Sequence, residues 1–139
     1  MNNPLKLLVL ACACAAVWAS AGPGLLAAKA AGVALADLPP AAPPLRPGDK
    51  VAFLELGSVG CKPCDAMKPV MDAVRAKYGE RVEVVFYDVR KDSTPAREHR
   101  IRLIPTQVFL MPDGSEFFRH EGYFPLEEIE AVLVRMGVR

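Results

Sequence analysis

The feature that most constrains this chain is a Cys-x-x-Cys motif, Cys61-Lys62-Pro63-Cys64, which lies between an apolar run and an amphipathic segment. Residues 51–56 before the motif are almost wholly apolar and predict a short buried strand. After the motif, apolar side chains recur at helical spacing: Met67, Val70, Met71, Val74 and Tyr78. We therefore expect the cysteines at a strand-to-helix junction, where the amide N–H groups at the end of a helix stabilise an anion. Cys61, nearer to the helix N-terminus, should be the more acidic and more reactive thiol.

The four cysteines of the chain fall into two pairs. Cys12 and Cys14 lie in an N-terminal apolar segment, whereas Cys61 and Cys64 lie in the globular part. Removal of the apolar segment would leave one pair and no spare thiol. A single remaining cysteine pair favours a redox couple over a scaffold of several disulfides.

Half of a zinc site and an inert structural disulfide are two other roles for a single Cys-x-x-Cys pair. A structural zinc ion takes four ligands, often from two such pairs. The only histidines, His99 and His120, are not at ligand spacing from the motif. A disulfide that closes four residues removes little chain entropy, so a purely stabilising role would be inefficient. We therefore expect redox chemistry without a bound metal or other cofactor.

The first 21 residues have the pattern of a secretory signal, with one charged residue, an apolar stretch over 7–19 and the small residues Ala19-Ser20-Ala21 for cleavage. An uncleaved membrane anchor is an alternative, because residues 7–28 approach the roughly 20 residues that cross a bilayer. Lipid modification of Cys12 is a third interpretation, since the residues before it loosely resemble a bacterial lipobox. Each of the three predicts a domain outside the cytoplasm, for instance in a periplasm.

Residues 22–47 are rich in alanine and proline, including Pro39-Pro40 and Pro43-Pro44. Prolines at this density exclude a regular helix, and the composition lacks the apolar content of a core. We expect a linker that separates the domain from a membrane or translocation site, or a leftover of processing.

Charge and length narrow the function classes further. At 139 residues the chain has room for one ordinary domain. Its formal net charge is +1, and no basic run is interleaved with aromatic residues. These observations give no electrostatic case for binding nucleic acid, and we expect none.

From residue 48 onward, strand and helix patterns alternate. The predicted elements, in chain order, are a strand at 51–56, a helix at 62–77, a strand at 82–89, a short helix at 94–100, strands at 106–111 and 115–121, and a helix that begins near residue 125. The helical crossover predicts that the first two strands are parallel. Pro112-Asp113-Gly114 is typical of a tight turn, so the last two strands should form an antiparallel hairpin. The expected fold is an α/β domain whose mixed sheet has helices on both faces.

This order of elements resembles the thioredoxin family over residues 48–139. The motifs that carry the resemblance are Cys61-Lys62-Pro63-Cys64, Pro69 in the following helix, Ile104-Pro105-Thr106 before the third strand, and Gly122 after the fourth. The resemblance implies a thioredoxin-like fold with about four strands. Thioredoxins usually begin with an additional strand and helix, which the preceding proline-rich residues do not supply. We therefore expect a version without that leading pair.

The resemblance also implies roles for individual residues. Cys61 would attack a substrate disulfide, Cys64 would resolve the mixed disulfide, and the two would then form the Cys61–Cys64 bond. Pro105 would follow a cis peptide bond, face the cysteines and offer backbone to an extended substrate. Glu55 stands where thioredoxins have a buried aspartate that handles the proton of the resolving cysteine. The neighbouring residues would contribute to substrate binding: Lys62, Pro63, Ile104, Thr106 and Gly122.

Several of these residues also have ordinary structural interpretations. Glu55 could reach water at the end of the sheet, although it shares a strand face with apolar residues, which favours burial and a raised pKa. Lys62 could stabilise the Cys61 thiolate by its charge or simply be solvated at the start of the helix. Pro105 could follow an ordinary trans bond, as most prolines do.

Two departures from the family pattern bear on substrate range. Gly57-Ser58-Val59-Gly60 replaces the aromatic residues that commonly precede the motif, and Trp18, the only tryptophan, lies in the signal segment. Phe86 stands where cytosolic thioredoxins often have a lysine near the buried acid. In these respects the chain is more similar to secreted thioredoxin-like proteins that serve thiol reduction or cytochrome c maturation.

The sequence therefore predicts a monomeric, extracytoplasmic oxidoreductase that reduces disulfides in other proteins. Because NADPH is not at hand there, its electrons would come from a membrane thiol carrier. Two alternatives belong to other classes. One is a copper- or zinc-binding module that uses Cys61 and Cys64, and the other is a chaperone-like module that binds proteins through the Pro105 surface without turnover.

Overall fold

Four strands form a mixed sheet in the computed structural model, which describes residues 33–139. The strands are β1 (Val51–Gly57), β2 (Val82–Asp88), β3 (Thr106–Leu110) and β4 (Glu116–Glu121), in the spatial order β2-β1-β3-β4. β1 runs parallel to β2, whereas β3 is antiparallel to both β1 and β4. The predicted four-stranded mixed sheet, with a parallel first pair and a final hairpin, is confirmed.

Three helices accompany the sheet: α1 (Lys62–Tyr78), α2 (Thr94–Glu98) and α3 (Leu126–Arg135). In addition, Leu35–Asp37 forms one short 3-10 turn. α1 continues through Pro69 and buries the apolar stripe that its sequence predicts, and α3 buries Ile129, Val132 and Leu133. Among the described residues, no helix is long and apolar enough to span a membrane. The predictions of a signal, an anchor or a modified Cys12 lie outside the described residues.

The two faces of the sheet bury separate apolar clusters. Phe53 of β1 and Phe109 of β3 stack with ring centroids 5.0 Å apart on the face that α1 and α3 cover, which we call the inner face. Leu54, Leu56 and Val108 point to the other face and pack with residues of the segments that flank α2. Strand alternation thus divides β1 between two cores, and the side chains of the inner face reach the cysteine-bearing helix.

β2 is an edge strand, because within residues 33–139 no strand precedes β1 in the chain. The absence of a leading strand and helix from the described part of the chain agrees with the expected shortened fold. Proline-rich residues occupy the corresponding stretch of sequence, and proline cannot donate the backbone hydrogen bonds of a sheet.

Residues 33–47 lie against the domain, which corrects the linker prediction for this part of 22–47. Leu38 is buried in the core of the inner face. The Ala42 N–H donates to the carbonyl of Arg135 at 2.7 Å, and the Arg135 guanidinium donates to the carbonyl of Pro39 at 3.2 Å. This segment, whose only regular structure is the 3-10 turn, is thus held on the end of α3 by one buried leucine and by hydrogen bonds to its backbone.

Replacement of Leu38 by alanine should destabilise the folded protein by about 2–4 kcal/mol, because it removes a buried side chain that is only 8% exposed. Urea denaturation measures the free energy of unfolding. Val134→Ala on α3 is the control, since Val134 is 63% exposed and its truncation should change stability by less than about 0.5 kcal/mol. Equal, small effects of the two substitutions would show that residues 33–47 do not contribute to the core.

Candidate active site

The two cysteines lie at the junction of β1 and α1, as predicted. Cys61 has extended backbone angles and caps α1, and Cys64 lies one turn inside the helix. A disulfide joins them, with their Cα atoms 5.2 Å apart. Cys61 is half-buried, whereas Cys64 is 1% exposed. An external disulfide can therefore approach the sulfur of Cys61 but not that of Cys64.

Lys62 and Pro63 form the first turn of α1 and are both exposed beside Cys61. The Asp65 N–H donates to the carbonyl of Cys61 at 2.8 Å, which closes the first helical hydrogen bond. The remaining N–H groups of the first turn have no intrahelical acceptor, and they confer partial positive charge on the N-terminus of α1. This charge lies where a Cys61 thiolate would form.

Gly57 allows Cys64 to pack directly against the end of β1. A Cβ atom at Gly57 would lie 3.2 Å from Cys64 Cβ, 3.3 Å from its Sγ and 3.2 Å from Cε2 of Phe86. These distances are shorter than ordinary van der Waals contact. The sequence indicated only that aromatic residues are missing here, whereas the structure shows that Cys64 and Phe86 fill the space next to the backbone.

Glu55 precedes Gly57 by two residues and projects from the same face of β1, about 7 Å along the strand. Its side chain is fully buried, which confirms the predicted burial. Burial raises the pKa of its carboxyl group to about 7, and a hydrogen bond from Gln107 acts in the opposite direction. The carboxyl group therefore changes its charge near neutral pH, on the side of β1 where Cys64 packs.

Gln107 is a residue of this site that the sequence reasoning missed. It is the cross-strand partner of Glu55 in the β1–β3 pair and has no exposed surface. Its Nε2 donates to Oε2 of Glu55 at 3.0 Å and to the carbonyl of Gly122 at 3.1 Å. The amide side chain inside a third strand that is otherwise of β-branched and apolar residues was the available signal.

The Ile104–Pro105 peptide bond is cis, in agreement with the resemblance. Because Leu56 pairs with Thr106, the next residues along the two strands, Gly57 and Pro105, come side by side. The cis proline thus lies next to the part of β1 against which Cys64 packs.

Gly122 lies next to the cis proline, and its N–H donates to the carbonyl of Pro105 at 2.8 Å. With a φ of 102°, Gly122 adopts a conformation that favours glycine. The Thr106 side chain is fully buried, and its hydroxyl donates to the carbonyl of Leu103 at 2.7 Å. Thr106 therefore exposes neither its side chain nor its backbone, whereas Ile104 is half-buried at the surface.

The Glu55→Gln variant should lose a pH dependence of stability. The folded-state pKa of about 7 exceeds the ordinary 4.5, so the stability that protonated Glu55 provides is complete below about pH 4.5. It is lost as pH rises through about 7, and at 1.36 kcal/mol per unit the loss amounts to about 3 kcal/mol. Urea denaturation of the oxidised protein at pH 5 and pH 8.5 should show this fall in the wild type and not in the variant. Parallel pH profiles of the two proteins would contradict the raised pKa.

Comparison with known proteins agrees with this geometry. A chloroplastic thioredoxin Y of Oryza sativa subsp. japonica is 28% identical over 93 residues, which cover 64% of this chain and 55% of that protein. A Staphylococcus aureus thioredoxin is 25% identical over 83 residues, which cover 60% and 79%. The chain spans about half the length of the chloroplastic relatives that it matches.

Solved structures of thioredoxins have the same fold. A malaria-parasite thioredoxin-2, described as a component of the parasite's protein secretion machinery, superposes with a TM-score of 0.59 at 21% identity, over 63% of this chain and 84% of that one. A thioredoxin from Nicotiana alata superposes with a TM-score of 0.55 at 30% identity, over 62% and 72%. Residues 45–137 match the thioredoxin-like domain family. Since this match spans more than half of the chain and includes the disulfide pair and the cis proline, the protein belongs to the thioredoxin-like family.

Proposed function

We propose that the protein is a thiol–disulfide oxidoreductase that reduces disulfides of other proteins through Cys61 and Cys64. The observation that carries the proposal is the disulfide at the start of α1, with one accessible and one buried sulfur atom beside a cis proline. Membership of the thioredoxin-like family supports it.

The reaction consists of two thiolate–disulfide exchanges. In the reduced protein, the Cys61 thiolate attacks one sulfur of the substrate disulfide, and the other substrate sulfur leaves as a thiolate. Cys64 then loses its proton and attacks the Cys61 sulfur, which forms the Cys61–Cys64 bond and releases the second substrate thiolate. Two electrons pass from the protein to the substrate, and an external dithiol must restore them.

The positions of the sulfur atoms support this division of roles. The N-terminus of α1 stabilises negative charge on Cys61, which suits the attacking thiolate. Cys64 is shielded by β1 and Phe86, so only the mixed disulfide on the neighbouring Cys61 is within its reach.

Glu55 supports the reducing direction. With a pKa of about 7, a substantial fraction of Glu55 is an unprotonated carboxylate at neutral pH that can accept the proton of Cys64. Deprotonation of Cys64 is required for the step that releases reduced substrate. A strong oxidant would depend instead on stabilisation of its reduced form.

An apolar rim supports protein segments as substrates. Three of the four large apolar side chains that are exposed in the described part of the chain adjoin site residues: Val59 (59% exposed), Leu103 (46%) and Tyr123 (48%). Val59 precedes Cys61 by two residues, Leu103 precedes Pro105 by two, and Tyr123 follows Gly122. An extended apolar segment next to a substrate disulfide would cover this rim and lose its contact with water.

We place the reaction outside the cytoplasm, with a membrane thiol carrier as electron donor. Oxidised proteins, including apocytochromes c during maturation, are the proposed recipients. The apolar stretch at residues 7–19 and the small residues after it support this location.

Cysteine substitutions test the proposed reaction. Cys61→Ser should reduce the catalysed reduction of a protein disulfide to the uncatalysed background, because it removes the attacking sulfur. Cys64→Ser should accumulate mixed disulfides in the native host, and mass spectrometry of the trapped species identifies both electron donors and recipients. The double variant is the control and should trap nothing.

Three outcomes would contradict the proposal. Substrate binding that survives Cys61→Ser, together with a wild-type protein that catalyses no disulfide reduction, would indicate a chaperone-like role. Tight stoichiometric binding of copper or zinc by the reduced protein would indicate a metal-binding module. If equilibration with glutathione gave the Cys61–Cys64 pair a reduction potential of about −120 mV, that value would be typical of an oxidant and would contradict the reducing direction.

A further inference from the structure

A row of polar side chains crosses the inner face of the sheet. Glu55 on β1, Gln107 on β3 and His120 on β4 are successive cross-strand partners. Glu55 and Gln107 are fully buried, and His120 is half-buried. The adjacent row on the same face consists of three aromatic residues: Phe53, Phe109 and Phe118. Polar groups in such surroundings are unfavourable unless they hydrogen-bond to one another.

The Gln107 amide connects two parts of the site. Its Nε2 donates both to Oε2 of Glu55 and to the carbonyl of Gly122, at 3.0 and 3.1 Å. Gly122 in turn donates its N–H to the carbonyl of Pro105 at 2.8 Å. One side-chain amide thus joins the buried acid to the backbone around the cis proline.

The unpaired oxygen atoms of Glu55 and Gln107 indicate that this pair favours a protonated carboxyl group. Glu55 Oε1 and Gln107 Oε1 are buried and have no hydrogen-bond partner within residues 33–139. Both atoms accept hydrogen bonds, so neither can satisfy the other while Glu55 is ionised. A proton on the carboxyl group supplies the donor that the pair otherwise lacks.

We propose that Gln107 is a positioning residue of the exchange reaction, whose amide fixes the Glu55 carboxyl group behind Cys64 and joins it to the Pro105–Gly122 backbone. This inference rests on the proposed function. When Cys64 attacks the mixed disulfide, its proton moves to the Glu55 carboxylate, and Gln107 keeps that carboxylate oriented to receive it. The acid and the substrate-facing backbone then form one hydrogen-bonded unit.

The neighbours of Glu55 determine which other residues could contribute to a titration measured at this site. Phe86 of β2 is the partner of Glu55 on its other side and carries no charge. Cys64 of α1 packs beside Gly57, two residues along β1 from Glu55, and does not titrate in the disulfide. His120 is the other titratable member of the polar row and lies beyond Gln107. Measurements on the oxidised protein therefore need to separate the titration of Glu55 from that of His120.

Gln107→Met tests the inference, because methionine has a similar size and offers no amide. The Gln107 amide favours the ionised form of Glu55, while burial is unchanged by the substitution. The Glu55 pKa should therefore rise by about one unit, as carbon NMR of the carboxyl group in the oxidised full-length protein would show. Val108→Ala is the control, since Val108 is buried on the same strand but faces the other side of the sheet. It should destabilise the protein and leave the Glu55 titration in place.

The reaction itself supplies a second readout. Rapid quenching separates formation of the mixed disulfide by Cys61 from its decay by Cys64. At pH 7 the decay should slow by about fivefold in Gln107→Met, because a one-unit rise reduces the ionised fraction of Glu55 from about one half to about one tenth. Formation should keep its wild-type rate, and the pH midpoint of decay should rise with the Glu55 pKa.

Several results would overturn the inference. They are an unmoved Glu55 titration in folded Gln107→Met, equal slowing of formation and decay, or a titration that disappears in His120→Gln and persists in Glu55→Gln. If Gln107→Met does not fold, Gln107→Glu keeps the size and polarity. In this variant the carboxyl groups of Glu55 and of the new side chain should share one proton and titrate in two separated steps. A single titration step at the wild-type Glu55 pKa would overturn the inference.

The proposed function can fail separately. A wild-type protein that catalyses no exchange would overturn that function. The Glu55 titration would still decide whether Gln107 holds the carboxyl group, because it is measured in the oxidised protein without substrate.

Discussion

The register of β1 against β3 determines which groups of this site meet. It sets Glu55 opposite Gln107 and brings Gly57 next to the cis proline. A slip by one residue would turn one of the two strands over, so that Glu55 and Gln107 would point to opposite faces of the sheet and lose their hydrogen bond. The register is held by Phe53 stacked on Phe109 on one face and by Leu54, Leu56 and Val108 on the other. The chemistry of the site therefore depends on the packing of two apolar clusters that contain no reactive group.

Gly57 at the end of β1 allows a close approach of neighbouring groups that a larger side chain would prevent. Without a Cβ at position 57, the backbone of β1, the sulfur of Cys64 and the ring of Phe86 come into contact. Phe86 also borders Glu55 from β2, so no cation of that strand offsets the burial of the acid. Burial therefore raises the pKa of Glu55, and the sequence already indicated that Phe86 stands in place of a lysine there.

Much of this architecture follows from periodicity and turn residues. The strands, the amphipathic α1 and the hairpin at Pro112-Asp113-Gly114 each have a local signal, and the family resemblance adds the disulfide and the cis proline. The polarity of Gln107 was a local signal, but the pattern of a single strand does not reveal that Glu55 is its cross-strand partner. The burial of Leu38 was equally hidden, since one apolar residue among prolines has no period. Both residues depend on contacts between distant parts of the chain.

The burial that would suit Glu55 to the proposed proton transfer also destabilises the folded protein when Glu55 is ionised. An exposed glutamate would stay ionised at neutral pH and would return a proton only weakly. A carboxyl group buried without any donor would remain protonated and could accept none. Glu55, which is buried but accepts one hydrogen bond from Gln107, lies between these limits. Its pKa of about 7 would allow it both to accept a proton and to return it near neutral pH. Because the ionised form is the one that burial destabilises, the state that accepts the Cys64 proton in the proposed reaction is also the less stable state of the folded protein.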